Sequence, residues 1–336
     1  MYLAAKYSKQ RNLEPGKIKG LPRTSAGEIA FTVLGGYLGT GKTTLLNRLL
    51  SDNHGVRIAL LINDFGAINI DANLIEKQTE QQINLTNGCV CCGLSDGFDE
   101  AIETLAGATT PPDHILIEAS GVADVNSLAQ YGKAPGLTLD SIIVVADATS
   151  VRKKVKDKYV ARTIVRQLQA ADLLLLNKVD LIEQSALDPL LHWLGELTQG
   201  TPVIPTQFCD LPYSLLLGSR PTSPNKLIDS TNQEESHHHE LYATWSFRSD
   251  VRLSRLDTER MLAEFPAELL RGKGFIWTTD GLMEWHKVGR HERLTEASAM
   301  SRTVLTTTLV AIALRDNLPA SELTTVAQRY LGNDQG

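Results

Sequence analysis

The sequence predicts an α/β protein, with a mainly parallel sheet covered by helices on both faces and a smaller C-terminal α+β domain. Three observations predict this class. Short apolar runs alternate with amphipathic stretches long enough for helices, the pattern of parallel strands joined by crossover helices. The runs are almost continuously apolar, as in strands buried on both faces. After residue 240, strand-like runs cluster with few helical stretches.

Length and composition agree with a folded protein of two domains. The chain has 336 residues, and domains usually hold about 100–200. Hydrophobic residues make up 42% and charged residues 21%, which excludes wholesale disorder. The formal net charge of −6 argues against a protein that coats nucleic acid through bulk charge. No apolar run reaches the roughly 18 residues of a membrane span, and the N-terminus lacks a secretory signal, so we expect a cytoplasmic protein.

The N-terminal part of the chain divides into a leader and a first domain. Residues 1–28 are polar, richer in cations than in acids and without hydrophobic period, so we expect a flexible basic leader; an arm that docks on an acidic partner is the alternative. Residues 29–217 are expected to form the first domain, with an amphipathic helix at 43–50. Its strands are expected at 29–34, 58–62, 114–117, 142–146, 173–176 and 202–205.

A linker and a second domain follow. Residues 218–240 contain two prolines, several Ser and Thr, and the triplet His237-His238-His239, which could pass on a metal or be part of a solvated linker. Residues 241–336 are expected to form the α+β domain, with helices at 256–265 and 319–331. Its strands are expected at 241–247, 274–278, 282–288 and 303–313.

A glycine-rich motif follows the first strand. The sequence GYLGTGKT at residues 36–43 matches G-x-x-x-x-G-K-[ST], in which the glycines let backbone N–H groups point at phosphate oxygens. Lys42 then reaches the terminal phosphates and the Thr43 hydroxyl ligates Mg²⁺. The dipole of the following helix favours the same anions. The motif therefore predicts a nucleoside triphosphate site.

The sequence NKVD at residues 177–180 follows the fifth apolar run and predicts the base. The Asp180 carboxylate can accept hydrogen bonds from guanine N1–H and the 2-amino group, and adenine has neither donor. The Lys178 stem can lie across the base, and Asn177 can tie its loop to the phosphate loop. We therefore expect guanine. An ATP-dependent P-loop kinase is the alternative, and it predicts that Asp180→Asn is tolerated.

Glu118 and Gly121 end the third run in the sequence EASG. A carboxylate at a strand end, three residues before a glycine, suits an outer-shell Mg²⁺ ligand beside a mobile glycine that senses the γ-phosphate. An ordinary strand-end acid is the alternative. Asp147 ends the next strand and is expected to be structural. No Gln or Arg can be assigned to orient the attacking water.

Three of the four cysteines, Cys89, Cys91 and Cys92, fall within four positions. Crowded thiols in a reducing compartment indicate metal binding or redox chemistry more often than a disulfide. Flanking glycines let the sulfurs converge on one ion, and thiolates favour Zn²⁺ or Cu(I) over Mg²⁺ or Ca²⁺. Three protein ligands would leave a fourth coordination position open for water, a side chain or an acceptor protein. Buried apolar packing and a redox dithiol are the alternatives.

Five segments together resemble the CobW-type family of metal-handling P-loop GTPases, relatives of the nickel-insertion GTPases that serve urease and hydrogenase. The similarity covers about residues 30–215, and the C-x-C-C element is its specific part. The sequence LRGKGFIW at residues 270–277 is similar to the R-x-K-G-x-x-W segment of that family. The five segments are GGYLGTGKTTLLNRLL, IALLINDFGAINID, LTNGCVCC, ILIEASGVAD and LLLLNKVDL.

The resemblance implies a P-loop GTPase that couples GTP binding and hydrolysis to delivery of a transition metal, most often Zn²⁺, to a client metalloprotein. Co²⁺ and Fe²⁺ stay open as cargo, and so does an oligomer that depends on nucleotide or metal. The client is expected on the C-terminal domain. By resemblance, the residues that hold phosphates and Mg²⁺ are Gly36, Gly39, Thr40, Gly41, Lys42, Thr43 and Thr44. Guanine would be held by Asn177, Lys178 and Asp180. The switch would contain Glu118 and Gly121. The cargo metal would be bound by Cys89, Cys91 and Cys92.

The segment after the second run departs from the family pattern. The family has Asn-Glu-Phe-Gly-Glu where this chain has Asn63-Asp64-Phe65-Gly66-Ala67. Asp64 keeps a carboxylate and joins the cysteines as a candidate metal ligand, whereas Ala67 has none. The longer segment from Asn63 to Cys92 connects the helix of the phosphate loop to the third strand, so γ-phosphate contacts could reposition it together with its thiols. The rival hypothesis is a GTP-dependent interaction switch whose cysteines are structural.

Overall fold

The computed structural model describes residues 28–51, 56–62, 82–84, 102–105, 107–108, 110–217, 242–297, 306–315 and 318–332. These residues form two sheets with their helices. Most of the leader, the predicted linker with its histidine triplet, and the cysteine cluster lie outside the described residues. Within the described part of the chain, no helix is both long and apolar enough to span a membrane.

The first sheet has seven strands, and all its neighbouring pairs are parallel. The six strands expected from apolar runs are confirmed, and the sheet order is β3-β2-β4-β1-β5-β6-β7. The edge strand β3 was not predicted because its three residues form no apolar run. The strands are β1 (Ile29–Gly35), β2 (Ile58–Ile62), β3 (Gln82–Asn84), β4 (His114–Glu118), β5 (Leu137–Asp147), β6 (Leu173–Asn177) and β7 (Val203–Thr206).

Helices cover both faces of this sheet, as predicted. Alternate side chains of a strand point to opposite faces, so Val33 and Leu34 belong to different halves of the core. Val33 packs on the side of α2, α4 and α5, whereas Leu34 packs on the side of α1 and α6. The helices are α1 (Lys42–Ser51), α2 (Val125–Ala129), α3 (Val151–Lys154), α4 (Ala161–Ala170), α5 (Gln184–Leu197) and α6 (Tyr213–Leu217).

The second sheet is antiparallel, with the order β11-β10-β9-β12-β8. Two helices pack on one face around the fully buried Trp285. Gly272 is required beside this ring, because a Cβ there would lie 2.1 Å from the indole. The edge strand β11 was not predicted, since its sequence HERLTE is mostly polar. The elements are β8 (Tyr242–Ser249), α7 (Arg255–Ala263), β9 (Arg271–Thr278), β10 (Gly281–Val288), β11 (His291–Glu296), β12 (Thr307–Leu314) and α8 (Ala320–Leu331).

The other face of the second sheet packs on the first domain. Tyr242, Leu270, Val288 and Ile312 join the same apolar cluster as α1 and α6. The α1 face of the first sheet is therefore completed by the C-terminal domain as well as by helices. Arg290 strengthens this contact by donating to the carbonyls of Gln169, Ala171 and Thr198, each at 2.9 Å.

A buried charged cluster lies in this interface. Asp140 is the extra residue of a bulge in β5, and it accepts hydrogen bonds from Arg271 Nη2 at 2.9 and 3.1 Å. His286 Nε2 lies 2.9 Å from the same carboxylate, and Arg271 Nη1 donates to the Leu215 carbonyl. Burial opposes ionisation of Asp140, but Arg271 and His286 outweigh it, so its pKa lies well below the usual value. Arg271 belongs to the R-x-K-G-x-x-W segment, and here it joins the two domains.

Candidate functional site

The phosphate loop joins β1 to α1 in a backbone shape that requires glycine. Gly36 has φ +135°, and a Cβ there would lie 2.4 Å from the Val145 carbonyl oxygen. Gly41 has φ +113°, and its Cβ would lie 2.3 Å from Asn177 Nδ2. Both positions combine a left-handed φ with no room for a side chain, so the loop keeps its curled shape only with these glycines.

Lys42 begins α1 and is buried in the curl of this loop. Its Nζ donates to the Gly36 carbonyl at 3.0 Å and lies 3.8 Å from Glu118 Oε1. Glu118 ends β4 and is also buried. Thr43 and Thr44 follow at the N-terminal turn of α1, where helix N–H groups are free to meet an anion. The loop thus presents a cation and helical N–H groups beside a carboxylate.

Asn177 connects the loop formed by residues 177–181, here called the base loop, to the phosphate loop. It ends β6, and its Nδ2 donates to the Thr40 carbonyl at 2.9 Å, the tie that the sequence predicted. Its Oδ1 accepts from the Cys209 N–H at 2.9 Å and from Thr206 Oγ1 at 3.3 Å. One buried amide therefore holds together the phosphate loop, the base loop and the loop after β7.

Lys178 follows with φ +65°, a left-handed conformation that turns its side chain back over the phosphate loop. Its Nζ donates to the Gly39 carbonyl at 2.7 Å and to Asp147 Oδ2 at 2.9 Å. Two residues later, Asp180 is exposed in a short 3₁₀ turn formed by Val179–Leu181. The lysine stem is held in place, and the carboxylate is accessible to a base.

Asp147 does more than the structural role expected of it. It ends β5 opposite Asn177 in the register with β6. Besides Lys178, it accepts from Thr149 N at 2.9 Å and Thr149 Oγ1 at 2.6 Å. Burial opposes its ionisation, but the hydrogen bonds from Thr149 and Lys178 prevail and lower its pKa. Asp147 is therefore a charged positioning residue for Lys178, which its place at the carboxyl end of a central strand could have indicated.

Gly121 and the loop after β4 pack against the phosphate loop. A Cβ on Gly121 would lie 2.9 Å from the backbone N of Leu38. The buried Gln167 of α4 donates to the Ala123 carbonyl at 2.9 Å and to the Gly121 carbonyl at 3.4 Å. Sequence reasoning missed Gln167, although a polar residue on the apolar face of an amphipathic helix is a signal for such a contact.

The fourth cysteine, Cys209, lies under the phosphate loop. Its Sγ lies 3.4 Å from the Gly41 carbonyl, to which it donates, and it is buried. Burial raises the pKa of this thiol to about 12, so it stays protonated at neutral pH and is a poor nucleophile. Nothing in the sequence pattern marks this contact.

The structure brings the phosphate loop, base loop and Glu118–Gly121 together at the carboxyl edge of β1, β4, β5 and β6. In open parallel sheets this edge is where ligands bind. Cys89, Cys91, Cys92 and Asp64 lie outside the described residues. Among the residues that are described, no group of three or more His, Cys, Asp or Glu could hold a metal ion.

Comparison with known proteins decides the family. The model of the CobW/HypB/UreG nucleotide-binding domain matches residues 30–205, more than half of the chain. The chain belongs to the CobW/HypB/UreG family. The cobalamin synthesis protein cobW C-terminal domain matches residues 242–327. Both the family resemblance and the fold predicted from the sequence are confirmed, and the chain is a P-loop GTPase.

Curated relatives within this family include two bacterial proteins. The zinc chaperone CobW of Sinorhizobium sp. is 31% identical over 64% of this chain and 70% of its own length. The zinc chaperone YjiA of Escherichia coli K12 is 28% identical over 74% of this chain and 82% of its own length. Among solved structures, Zn(II)-bound YjiA from E. coli aligns with 90% of this chain and 99% of its own, with 21% identity and a TM-score of 0.44.

Proposed function

We propose that this chain is a GTP-hydrolysing metallochaperone that binds a transition metal, most readily zinc, at Cys89, Cys91 and Cys92 and delivers it to a client metalloprotein. The nucleotide-binding part of this proposal rests on two hydrogen bonds between the loops, from Asn177 to the Thr40 carbonyl and from Lys178 to the Gly39 carbonyl. These bonds hold the proposed phosphate and base sites side by side. The metal-binding part of the proposal is supported by the C-x-C-C sequence and by relatives named zinc chaperones.

The proposed division of the chain follows the sequence. We propose a basic leader at 1–28, the GTPase domain at 29–217, a linker at 218–240 and the C-terminal domain at 241–336. The two family matches, 30–205 and 242–327, lie inside the second and fourth of these parts. The client is still expected to contact the C-terminal domain, although one face of its sheet packs on the GTPase domain.

In the proposed reaction, a water oxygen attacks the γ-phosphorus of GTP and the bond from that phosphorus to the bridging oxygen breaks. Lys42 offsets the charge that develops on the phosphate oxygens, and the N–H groups of residues 36–44 hold them. Asp180 selects guanine and the Lys178 stem supports the ring. Mg²⁺, which the Thr43 hydroxyl would ligate with Glu118 in its outer shell, supplies further charge stabilisation.

Coupling between nucleotide and metal is proposed to start at the Lys42–Glu118 pair. The Lys42 ammonium donates to the Gly36 carbonyl and faces Glu118. A γ-phosphate would attract this ammonium and change the surroundings of Glu118, the residue that leads into the Gly121 loop. Such coupling requires that the metal binds one nucleotide state more tightly than the other.

The test is titration of Zn²⁺, Co²⁺ and Fe²⁺ into the protein with a non-hydrolysable GTP analogue or with GDP. We expect a bound metal whose dissociation constant differs between the two states. Replacing Cys89, Cys91 and Cys92 with Ser should abolish metal binding and leave GDP affinity unchanged. Cys209→Ser is the matched control, because it also removes a thiol but should keep the metal. Equal metal affinities in both nucleotide states would disprove the coupling.

A further inference from the structure

Residues 152–166 concentrate positive charge in an otherwise acidic chain. This segment, here called the basic surface, carries seven of the 33 Lys and Arg residues and a single acid, Asp157. The rest of the chain has 26 cations against 38 acids. The seven cations are Arg152, Lys153, Lys154, Lys156, Lys158, Arg162 and Arg166.

The basic surface faces solvent. All its cations are exposed except Lys154, which is half-buried, and Tyr159 is 80% exposed between them. Within the described part of the chain, none of the seven forms an ion pair. Asp157 offsets one of these charges at most, and its Oδ1 accepts from the N–H groups of Tyr159 and Val160. Like charges at this density repel one another, and together they create a positive potential that attracts anionic groups.

The basic surface is connected to the nucleotide site. Lys154 Nζ lies 3.5 Å from the Leu38 carbonyl, to which it donates, and 4.9 Å from the centre of the Tyr37 ring. Leu38 of the phosphate loop is 60% exposed, and Val122 after the switch glycine is 50% exposed. Since Gly121 packs on Leu38, these two apolar side chains lie at neighbouring points beside the cations. The result is a charged surface with an apolar edge.

We propose that the basic surface binds an acidic segment of a partner protein, with Leu38 and Val122 contacting an apolar side chain of that segment. Carboxylates of an acidic segment can pair with this surface, because arginine binds them in bidentate geometry and lysine adds point charges. A long polyanion such as nucleic acid would also meet the acidic remainder of the chain and be repelled by it. This docking site lies on the GTPase domain, in addition to the client contact expected on the C-terminal domain.

The test uses a fluorescein-labelled peptide of glutamates around a single leucine, titrated with nucleotide-free protein and followed by fluorescence anisotropy. The test variant is Lys153→Glu with Lys156→Glu. The matched control, Lys133→Glu with Arg248→Glu, changes net charge equally at exposed positions elsewhere. We expect about a tenfold loss of affinity in the test variant and less than about a twofold loss in the control. Unchanged thermal unfolding of both variants shows that each is folded.

Three results would overturn the proposal. Equal losses in test and control variants would mean that net charge alone governs binding. Binding of single-stranded DNA or phosphatidylserine vesicles as tightly as the peptide would mean a general anion surface. Self-association of the wild-type protein, measured by sedimentation and lost in the test variant, would make a second copy the occupant. Peptide binding needs neither GTP hydrolysis nor metal, so it can fail while the proposed function stands.

Discussion

At the scale of single residues, the base loop depends on charges that hold one another in place. Asp180 is exposed to a ligand, whereas Lys178 is already held by Asp147 and by the Gly39 carbonyl. A side chain ordered before the ligand arrives loses little conformational freedom on binding. In the proposed function, Asp180 would therefore supply the specificity for guanine, and Asp147 would supply part of the affinity.

We predict that Asp180→Asn weakens GTP binding by roughly a hundredfold, about 3 kcal/mol, because the amide cannot accept both guanine hydrogen bonds. Xanthosine triphosphate should gain affinity, since its 2-oxo group can accept from the new amide. Competition against a fluorescent GDP analogue measures both effects. Unchanged GTP affinity together with a preference for ATP would favour the kinase alternative.

Asp147→Asn should weaken guanine nucleotide binding by about tenfold, since a neutral amide holds the Lys178 ammonium less firmly. A double-mutant cycle with Lys178→Met tests whether Asp147 affects nucleotide affinity through Lys178. If Asp147 acts through Lys178, Asp147→Asn should hardly change the nucleotide affinity of the Lys178→Met variant. A loss of the same size in both backgrounds would mean that Asp147 acts on the fold instead.

At the scale of elements, α4 controls the loop after β4. Its apolar face packs on the sheet through Ile164 and Leu168, while Gln167 on the same face holds the carbonyls of Gly121 and Ala123. The helix therefore supports the loop after β4 through one side-chain amide. The same helix carries Arg162 and Arg166 of the basic surface on its exposed side.

Gln167→Leu should lower the free energy of unfolding by about 1–3 kcal/mol, because the buried carbonyls of Gly121 and Ala123 lose a hydrogen-bond donor. It should also slow GTP hydrolysis, since the Gly121 loop loses its support. The matched control is Gln169→Leu on the same helix, where an exposed amide donates to the Leu197 carbonyl at 3.3 Å. Thermal unfolding and single-turnover hydrolysis measure the two effects. Equal hydrolysis rates in both variants would contradict this role for Gln167.

At the scale of the whole molecule, the two domains are joined by charge as well as by apolar contact. Asp140 of the β5 bulge meets Arg271 and His286 of the second sheet, and His114 lies nearby, 2.8 Å from Thr32 Oγ1. Burial is the main reason that the pKa of His114 and of His286 is lowered to about 4. His286 Nδ1 has no partner among the described residues, so a second proton there would be left without an acceptor.

These histidines predict that stability falls as pH decreases from about 6.5 to about 4. In that window the unfolded chain binds protons that the folded chain excludes, so acid favours unfolding. Asp140 adds little to this slope, because its pKa is lowered and it stays ionised in both states over most of the window. Urea unfolding at several pH values measures the effect. The paired variant His114→Gln with His286→Gln should flatten the slope, whereas His192→Gln, an exposed control, should leave it unchanged.

The sequence alone predicted six strands of the first sheet, the phosphate loop, the base motif and the family. Each of these depends on neighbouring residues: apolar runs determine strands, and glycines beside a lysine determine the loop. It missed β3 and β11, because polar edge strands have no apolar run.

Only the tertiary structure decided the roles of Asp147, Gln167 and Arg271. Their partners lie 31 residues away for Asp147 and Lys178 and 131 residues away for Arg271 and Asp140. Contacts between residues that far apart form only when strands pair within a sheet or when the two sheets pack, and no local pattern encodes them.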